Sequence, residues 1–518
     1  MTKIKLNILL IFFLTSNVLI SQTFVSRDTT KSITVQKPYK IDKHAFIKEK
    51  YPSYYPLLVA FVLQKKAAEN DPFAQYELGV RYLLGVGIVA DTVKSISWFK
   101  KAASQKFPPA LYAMGDFHNR GIGVKWDPFR AFEYYREAAN MGIPGAQVNY
   151  GFFFTDNLVV NADLNKAYFW IKTAYDQGIK KLKPILLKLI KYGAMPINNQ
   201  NKKKSSVYYF NKNKGENIDD IEIDDKFAFE ENIDSIPNNR EKLEKLLNSK
   251  KDKLIELTGL ESDSIKSFQK NFSGLQIVKL ASKYGSPESF VFLGKMHQTG
   301  TVLKKNKILA AEYFLRAIRN GADKASKPLI DLLSEKDFST ELNKQLQLNI
   351  PSAYYVKAGL ITQGLEISFL NEKPKIFLKQ AASQNHIPSI IELGVLLSRE
   401  KDSLNKAITF YEKAIKLGSI EAEIQLKVLN IITKQSTHTL KQDLEFLKKA
   451  SLMGSVIAQA TLGYCFENGI GVEQNYYKAI RNYRNASSRG NRIAHSAIIN
   501  IYNKFRPNKP EYKIYQRN

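Results

Sequence analysis

Residues that could act in catalysis or hold a metal ion are few and widely spaced. The chain has 518 residues, with six histidines and one cysteine. A helical zinc site needs two histidines four residues apart, and no pair of these histidines has that spacing. The sequence therefore predicts no metal site and no catalytic residues. The histidines are His44, His118, His297, His386, His438 and His495.

The single thiol and the acidic run have plain structural interpretations. Cys465 cannot form an internal disulfide, and its place in a helical pattern predicts an ordinary helix residue rather than a reactive thiol. The acidic run from Glu216 to Asp234 lacks the alternating aspartates and the twelfth-position glutamate of a calcium loop. We interpret this run as a solvated linker.

Two glycine pairs, Gly85-x-Gly87 and Gly121-x-Gly123, have a composition that suits a phosphate-binding loop. Such a loop follows a strand and continues into Gly-Lys-Ser/Thr. Here each pair follows a helical pattern and lacks that continuation, so the sequence predicts no nucleotide and no other cofactor.

The glycines instead belong to a repeat. Gly79, Gly115 and Gly151 recur every 36 residues, and each stands in the middle of an apolar helical pattern. A glycine turn follows, then an aspartate, then a second helical pattern rich in aromatic residues and alanine. Self-similarity at a fixed period of this size is typical of stacked helical hairpins.

Each repeat glycine has a predicted structural task. Glycine inside a helix costs about 1 kcal/mol relative to alanine, so we expect the second helix to approach closely there. The Gly-x-Gly turn should end the first helix, because glycine adopts positive φ readily. Asp91 and Asp127 should cap the second helices.

The mid-helix glycines, the Gly-x-Gly turns and the aromatic-then-Ala-Ala second helices resemble the Sel1-like repeat, a longer relative of the tetratricopeptide repeat. The resemblance implies an all-α fold, an α/α solenoid of helical hairpins in two arrays, used for binding rather than for a particular reaction. The repeat-structural glycines are Gly79, Gly85, Gly87, Gly115, Gly121, Gly123, Gly151, Gly294, Gly394, Gly463, Gly469 and Gly471.

The N-terminus is typical of a secretory signal peptide. Lys3 and Lys5 precede the apolar run 6–20, which is short for a membrane span, and Ser21 offers a cleavage point. The rival interpretation is an uncleaved membrane anchor. The predicted order is a signal peptide 1–21, a flexible leader 22–50, an N-terminal array 51–192, a polar and acidic linker or insertion 193–240, a C-terminal array 241–505 and a polar tail 506–518.

Candidate partner contacts follow from the stacking. We expect the first helices of the hairpins to line a concave surface that binds a peptide or a folded protein. Trp126 lies in a turn where other copies carry Ala90 and Gln474, so the repeat itself does not require a large ring there. Trp126, Arg81 and Phe117 are the candidate partner-binding residues.

The formal net charge is +28, which favours acidic partners such as an anionic lipid, a cell-wall polyanion or an acidic protein. Lysine on solvated helix faces is the competing explanation. We expect no nucleic-acid partner, because a signal peptide removes the chain from the cytosol and no recognition motif is present.

The sequence predicts a secreted or periplasmic, non-enzymatic protein–protein interaction scaffold. One alternative is a cell-envelope enzyme acting on cell-wall peptides or β-lactams. Sel1-like proteins associated with such ligands resemble disulfide-rich solenoids, whereas this chain has one cysteine. The other alternative is a basic structural protein that binds polyanions.

Overall fold

The computed structural model describes residues 60–195, 236–248, 254–255, 258, 273–365, 373–400, 402–433 and 439–514. Across these ranges every regular element is a helix, which confirms the all-α fold class. The predicted signal peptide 1–21, the leader 22–50 and nearly all of the linker 193–240 lie outside the described residues.

The chain forms two compact units. The first unit contains the N-terminal array together with the last part of the chain, from Ile499 onward. Its helices are α1 Ala60–Ala68, α2 Pro72–Leu84, α3 Thr92–Ser104, α4 Pro108–Arg120, α5 Pro128–Asn140, α6 Pro144–Phe152, α7 Leu164–Asp176 and α8 Lys183–Lys191.

The second unit contains the C-terminal array up to Ile498. Its helices are α9 Arg240–Leu247, α10 Gly274–Lys283, α11 Pro287–Thr299, α12 Lys307–Arg319, α13 Ser326–Leu333, α14 Phe338–Gln347, α15 Pro351–Gln363, α16 Pro374–Ser383, α17 Ile387–Ser398, α18 Leu404–Lys416, α19 Ile420–Ile432, α20 Leu440–Leu452, α21 Val456–Asn468 and α22 Tyr476–Ser487. The last helix, α23 Arg492–Phe505, begins in this unit, and its residues from Ile499 belong to the first.

Local signals in the sequence set the helix boundaries. Asp91 accepts a hydrogen bond from the backbone N–H of Lys94 and so caps α3, as predicted. Asp127 caps α5 in the same way, through the N–H of Arg130. Gly121 ends α4 in the left-handed conformation with φ +66°, which a residue with a Cβ adopts only at a cost.

The mid-helix glycines lie against side chains of the paired second helix. A Cβ built on Gly115 would lie 2.7 Å from Cδ1 of Tyr135, and one on Gly463 would lie 2.7 Å from Cδ1 of Tyr483. Ordinary van der Waals contact begins near 3.4 Å. The two helices of a hairpin are therefore closer than any residue larger than glycine permits.

One copy of the repeat lacks the glycine at this helix position. In α15 the slot that corresponds to Gly115 holds Ala358, and the glycine stands one residue later. Gly359 faces Leu315 of α12, with 2.6 Å between a built Cβ and the Leu315 Cδ1 atom. The close approach at this copy is thus made to a different hairpin.

A side-chain amide joins successive hairpins. In three copies a glutamine of the first helix donates to a carbonyl eight residues earlier, at distances of 3.1 to 3.5 Å, and accepts from a residue 30 positions later. The copy between the first two carries an apolar pair at the same slots. The polar pairs are Gln75 with Gln105, Gln147 with Gln177 and Gln459 with Arg489, and the apolar pair is Leu111 with Met141.

No helix in the part of the chain that the structure describes has both the length and the apolar content required to cross a bilayer.

Candidate functional site

The first helices of the hairpins, expected to line an open concave surface, are largely buried. Every residue of α4 from Pro108 to His118 is buried, and so is every residue of α11 from Pro287 to Met296. Each first helix packs against the second helix of its own hairpin and the second helix of the preceding one. In these two hairpins the first helices therefore do not form an exposed surface, contrary to the expectation. Large exposed side chains lie on second helices, as Val93 and Phe169 do, and at a few positions of other first helices, such as Phe73 and Leu187.

The three candidate partner contacts are buried as well. Arg81 pairs with Glu77 at 3.1 Å, and Phe117 packs with its ring centroid 5.3 Å from that of Phe99. Trp126 is 5% exposed. Their selection as surface contacts does not hold, since helix packing covers Arg81 and Phe117, and a distant part of the chain covers Trp126.

The candidate chemical groups have structural roles. His118 stacks on Tyr134 and His297 on Tyr313, with ring centroids 5.6 and 5.7 Å apart. Burial, together with the nearby Arg130, lowers the pKa of His118, which favours the neutral ring. Burial raises the pKa of the Cys465 thiol to about 12, so this thiol is not activated.

In the second unit, a cluster of arginine and glutamate residues joins helices far apart in the sequence. Glu421 lies in the first turn of α19, and Arg316 and Arg319 lie in the last turn of α12. Arg316 Nη2 lies 3.0 Å from Glu421 Oε2, and Arg319 pairs with Glu421 Oε1. Asn320 donates to the same carboxylate at 3.3 Å. An acid at a helix N-terminus and bases at a helix C-terminus also suit the two helix dipoles.

The pKa shifts in this Arg316–Glu421 cluster show which charges are compensated. Burial raises the pKa of Glu421, but Arg319 and Arg316 lower it by more, so its pKa lies below the usual value. Glu392 lies 3.2 Å from Arg319 Nε, and burial there outweighs the arginine, so its pKa is raised. Glu421 is thus the principal anion of the cluster.

Other interior charges of the second unit also pair within the chain. Glu288, in the first turn of α11, accepts from Arg489 at 2.6 Å, although 201 residues separate them. His386 Nε2 lies 3.2 Å from Glu312 Oε2. Among the described residues, no group of three or more His, Cys, Asp or Glu side chains could hold a metal ion. The other ring nitrogen of His386, Nδ1, lies 2.9 Å from the hydroxyl of Ser389, which is fully buried. These pairs join packed helices in the interior of the unit.

In the first unit, an aromatic surface receives the C-terminal segment. We call Trp126, Phe129, Phe132, Glu133 and the loop 158–161 the docking surface, and residues 499–514 the C-terminal segment. The Trp126 ring lies 5.5 Å from Tyr502 and 5.2 Å from Phe505, centroid to centroid. Tyr512 is fully buried, with its ring 5.1 Å from Phe129 and 6.1 Å from Phe132.

Polar contacts fix the register of the segment. Arg506 donates to the carbonyl of Leu158 at 2.7 Å and to that of Val159 at 3.3 Å. Lys509 Nζ and the Tyr512 hydroxyl both donate to Glu133 Oε1, at 3.0 and 3.1 Å. One carboxylate and two backbone carbonyls thus bind three side chains spaced three residues apart.

One residue of the docking surface, Trp126, is a candidate contact in the sequence analysis, whereas the residues that cover it are not. Trp126 was singled out because no other copy needs a large ring at its turn, and the structure supplies its partners. The covering residues do not follow from the sequence pattern, which indicates only a polar tail from Arg506. The one indication in the sequence that this region packs against the array is Tyr512, an aromatic residue within a polar stretch, and the structure buries it fully.

The Sel1 repeat family matches residues 72–107, 108–143, 144–179, 291–321, 391–419 and 456–491. One similar solved structure is that of a protective antigen present in uropathogenic Escherichia coli strains, which displays an SLR fold. The two sequences are 21% identical, and the match covers 86% of this chain and 91% of that chain, with a TM-score of 0.29. A Sel1 repeat protein from Oxalobacter formigenes is 32% identical over 24% of this chain and 97% of its own, with a TM-score of 0.24. No curated protein matches the chain.

Proposed function

Because the chain is a Sel1 repeat protein with six matched repeats, we propose that it is a non-enzymatic scaffold that is exported from the cytoplasm and binds a protein or peptide partner. Sel1 repeats generally mediate protein–protein interaction. The proposal adds to this general role that the chain is exported and that it binds a particular protein or peptide.

One structural observation supports a binding role above others. The array holds its interior charges in pairs within the chain, as Glu421 does with Arg316 and Arg319. Among its large exposed side chains, Val93 and Phe169 lie on second helices and are 73% and 42% exposed. A surface built from such helices gives a partner many modest contacts, which suits recognition of another protein.

Crosslinking in the native cell tests this proposal. The full chain, carrying a photoreactive residue at Val93 or Phe169, should give a reproducible adduct with one or a few proteins. A matched control places the same group at the buried Phe99 and should give none. Adducts absent at both exposed positions, together with hydrolysis of cell-wall peptides or covalent attachment of a labelled β-lactam by the pure protein, would favour the enzyme alternative.

Export is proposed from the lysine-flanked apolar run 6–20. Cell fractionation should find the protein outside the cytosol, and N-terminal sequencing should begin at Gln22. A chain that retains Met1 and pellets with membranes would point to the uncleaved anchor instead.

The net charge of +28 favours polyanion binding as a second candidate. Binding to an anionic cell-wall polymer that rests on charge should weaken steeply with added salt, because condensed counterions are released on binding. Affinity that does not change between low and high salt would contradict this candidate and leave the protein-scaffold role in place.

A further inference from the structure

We propose that the docking surface is a peptide-binding site for segments of the pattern basic-x-x-basic-x-x-Tyr, and that Arg506, Lys509 and Tyr512 of the chain itself are its resident ligand. The inference rests on the proposed binding function and names a class of partner for it. That partner is an extended peptide, in another protein, which carries the same three side chains and displaces the C-terminal segment.

The tyrosine position is specified by a pocket and a polar group. The Tyr512 ring meets Phe129 edge-on at 5.1 Å, with an interplanar angle of 77°, and its hydroxyl reaches Glu133 at 3.1 Å. Burial and the adjacent Glu133 carboxylate raise the pKa of Tyr512, so its hydroxyl is a donor. A phenylalanine would fill the pocket but leave the Glu133 oxygen with one donor fewer.

The two basic positions are specified by acceptors. Arg506 binds the carbonyls of Leu158 and Val159, which need a donor that reaches two oxygens at once. Its guanidinium also lies over Phe129, 5.4 Å from the ring centroid. Lys509 adds a charge-assisted hydrogen bond to Glu133. An acidic residue at either position would face like charge or unmatched acceptors.

The backbone of the segment is suited to recognition as a short linear peptide. Lys509 is extended, with φ −120° and ψ 145°, and Pro510 begins a single turn that ends at Tyr512. Asn161 donates to the carbonyl of Lys513 at 2.9 Å, which binds the backbone itself. Prolines at 507 and 510 restrict the free peptide, so less conformational entropy is lost when it binds.

The same contacts make the resident segment replaceable. Lys509 and Glu133 form a half-exposed pair, with side-chain exposures of 57% and 34%, and Arg136 pairs with Glu511 at 38% and 40%. Exposed ion pairs of this kind contribute little to stability. Retention of the segment therefore depends mainly on the buried Tyr502 and Tyr512 and on Arg506, and an external peptide of the same pattern supplies equivalents of the last two.

The test uses full-length protein with the double substitution R506A/Y512A and a fluorescent peptide spanning residues 503–514. By anisotropy the variant should bind this peptide, and the wild-type chain should bind it at least tenfold more weakly, since its own segment occupies the surface. A peptide with Tyr512→Ala should lose at least tenfold in affinity for the variant. A peptide with Asn508→Ala, a position exposed in the structure, should bind as the unmodified peptide does.

Two results would overturn the proposal: a folded variant that binds no peptide, or equal binding of the intact and the Tyr512→Ala peptides. A second measurement covers a variant that fails to fold. In the otherwise wild-type chain, Glu133→Gln should speed tryptic cleavage after Lys504 or Lys513 several-fold, whereas Glu137→Gln, whose partner is the exposed Lys106, should not. Unchanged cleavage in Glu133→Gln also contradicts the proposal. If the peptide-binding or the proteolysis test fails, the proposed peptide class is excluded. The scaffold role is tested separately, by the crosslinking experiment.

Discussion

At the scale of single residues, the repeat glycines determine how closely the two helices of a hairpin approach. The aromatic ring opposite Gly115 belongs to Tyr135, which is itself fully buried and donates its hydroxyl to Asp116 at 2.6 Å. Neither ring nor carboxylate can move aside without loss of that bond. The tolerance for any added atom at Gly115 is therefore low.

Gly115→Val should destabilise the first unit by about 1–3 kcal/mol, the usual cost of overpacking a close-packed core. Urea unfolding followed by circular dichroism measures the change. Ser97→Ala, at an exposed position of α3, is the matched control and should stay within about 0.5 kcal/mol. A Gly115→Val protein as stable as the control would show that the hairpin spacing is not set by this glycine.

The amide pairs give a second residue-scale prediction, because the chain supplies its own template for replacing them. Gln147→Leu alone should cost about 1 kcal/mol, since it removes the acceptor of the Gln177 amide and the donor to the Ala139 carbonyl. The double substitution Q147L/Q177M reproduces the Leu111 and Met141 pair of the preceding copy and should recover part of that loss. A double-mutant cycle with no coupling energy would exclude a shared role for the two slots.

At the scale of helices, the C-terminal array depends on charges that pair between distant elements. Glu421 compensates two arginines of α12 and lies at the N-terminus of α19. Removing one partner of a buried pair leaves the opposite charge uncompensated, which costs far more than losing an exposed pair.

Glu421→Ala should therefore destabilise the second unit by about 3–5 kcal/mol. Glu400→Ala, which removes the exposed pair with Lys375, should cost far less, because solvent screens exposed ion pairs. Thermal unfolding of both variants provides the comparison. Equal losses would mean that the Arg316–Glu421 cluster is not a stabilising element.

The same carboxylate predicts a pH dependence. The folded pKa of Glu421 lies below its reference value of 4.5, so its stabilising effect is complete above that value and is lost as the pH falls through the folded pKa. Wild-type stability should decline below about pH 4.5 more steeply than that of Glu421→Gln, which carries no titrating group there. Parallel pH–stability curves for the two proteins would contradict the assignment.

Local signals in the sequence predict the helical hairpins well, but they do not predict which residues pair over long sequence separations. The caps at Asp91 and Asp127 and the turn at Gly121 depend on neighbouring residues, so the pattern predicts them directly. Nothing local links Glu421 to Arg319, 102 residues earlier. The candidate site failed for the same reason: Trp126 was chosen for its size, but its covering residues lie at the far end of the sequence.

At the scale of the whole molecule, the first unit is built from two separate stretches of chain, 60–195 and 499–514 within the described residues. A cut in the predicted linker 193–240 therefore leaves the first unit composed of parts of both resulting fragments. The C-terminal segment carries buried anchors, Tyr502 and Tyr512, into the N-terminal unit.

Proteolysis confined to residues 196–235 should yield two fragments that remain associated in size-exclusion chromatography. The physical reason is that the fragment beginning after the cut still supplies residues 499–514 to the first unit. The Y512A/R506A protein, cut at the same place, should separate more readily. Fragments of the wild-type protein that elute apart would contradict the pairing of these two stretches.

Because the first unit is built from two stretches far apart in the sequence, it cannot complete its folding until late in synthesis. Glu133 and Tyr512 are 379 residues apart, so a ribosome that has released α5 must make most of the chain before the covering tyrosine exists. During that time Tyr502 and Tyr512 do not yet cover Trp126, Phe129 and Phe132, and this side of the three rings is open to chaperones or to neighbouring nascent chains. We expect final closure of the N-terminal unit to follow completion of synthesis, as is usual where contacts of high sequence separation must form last.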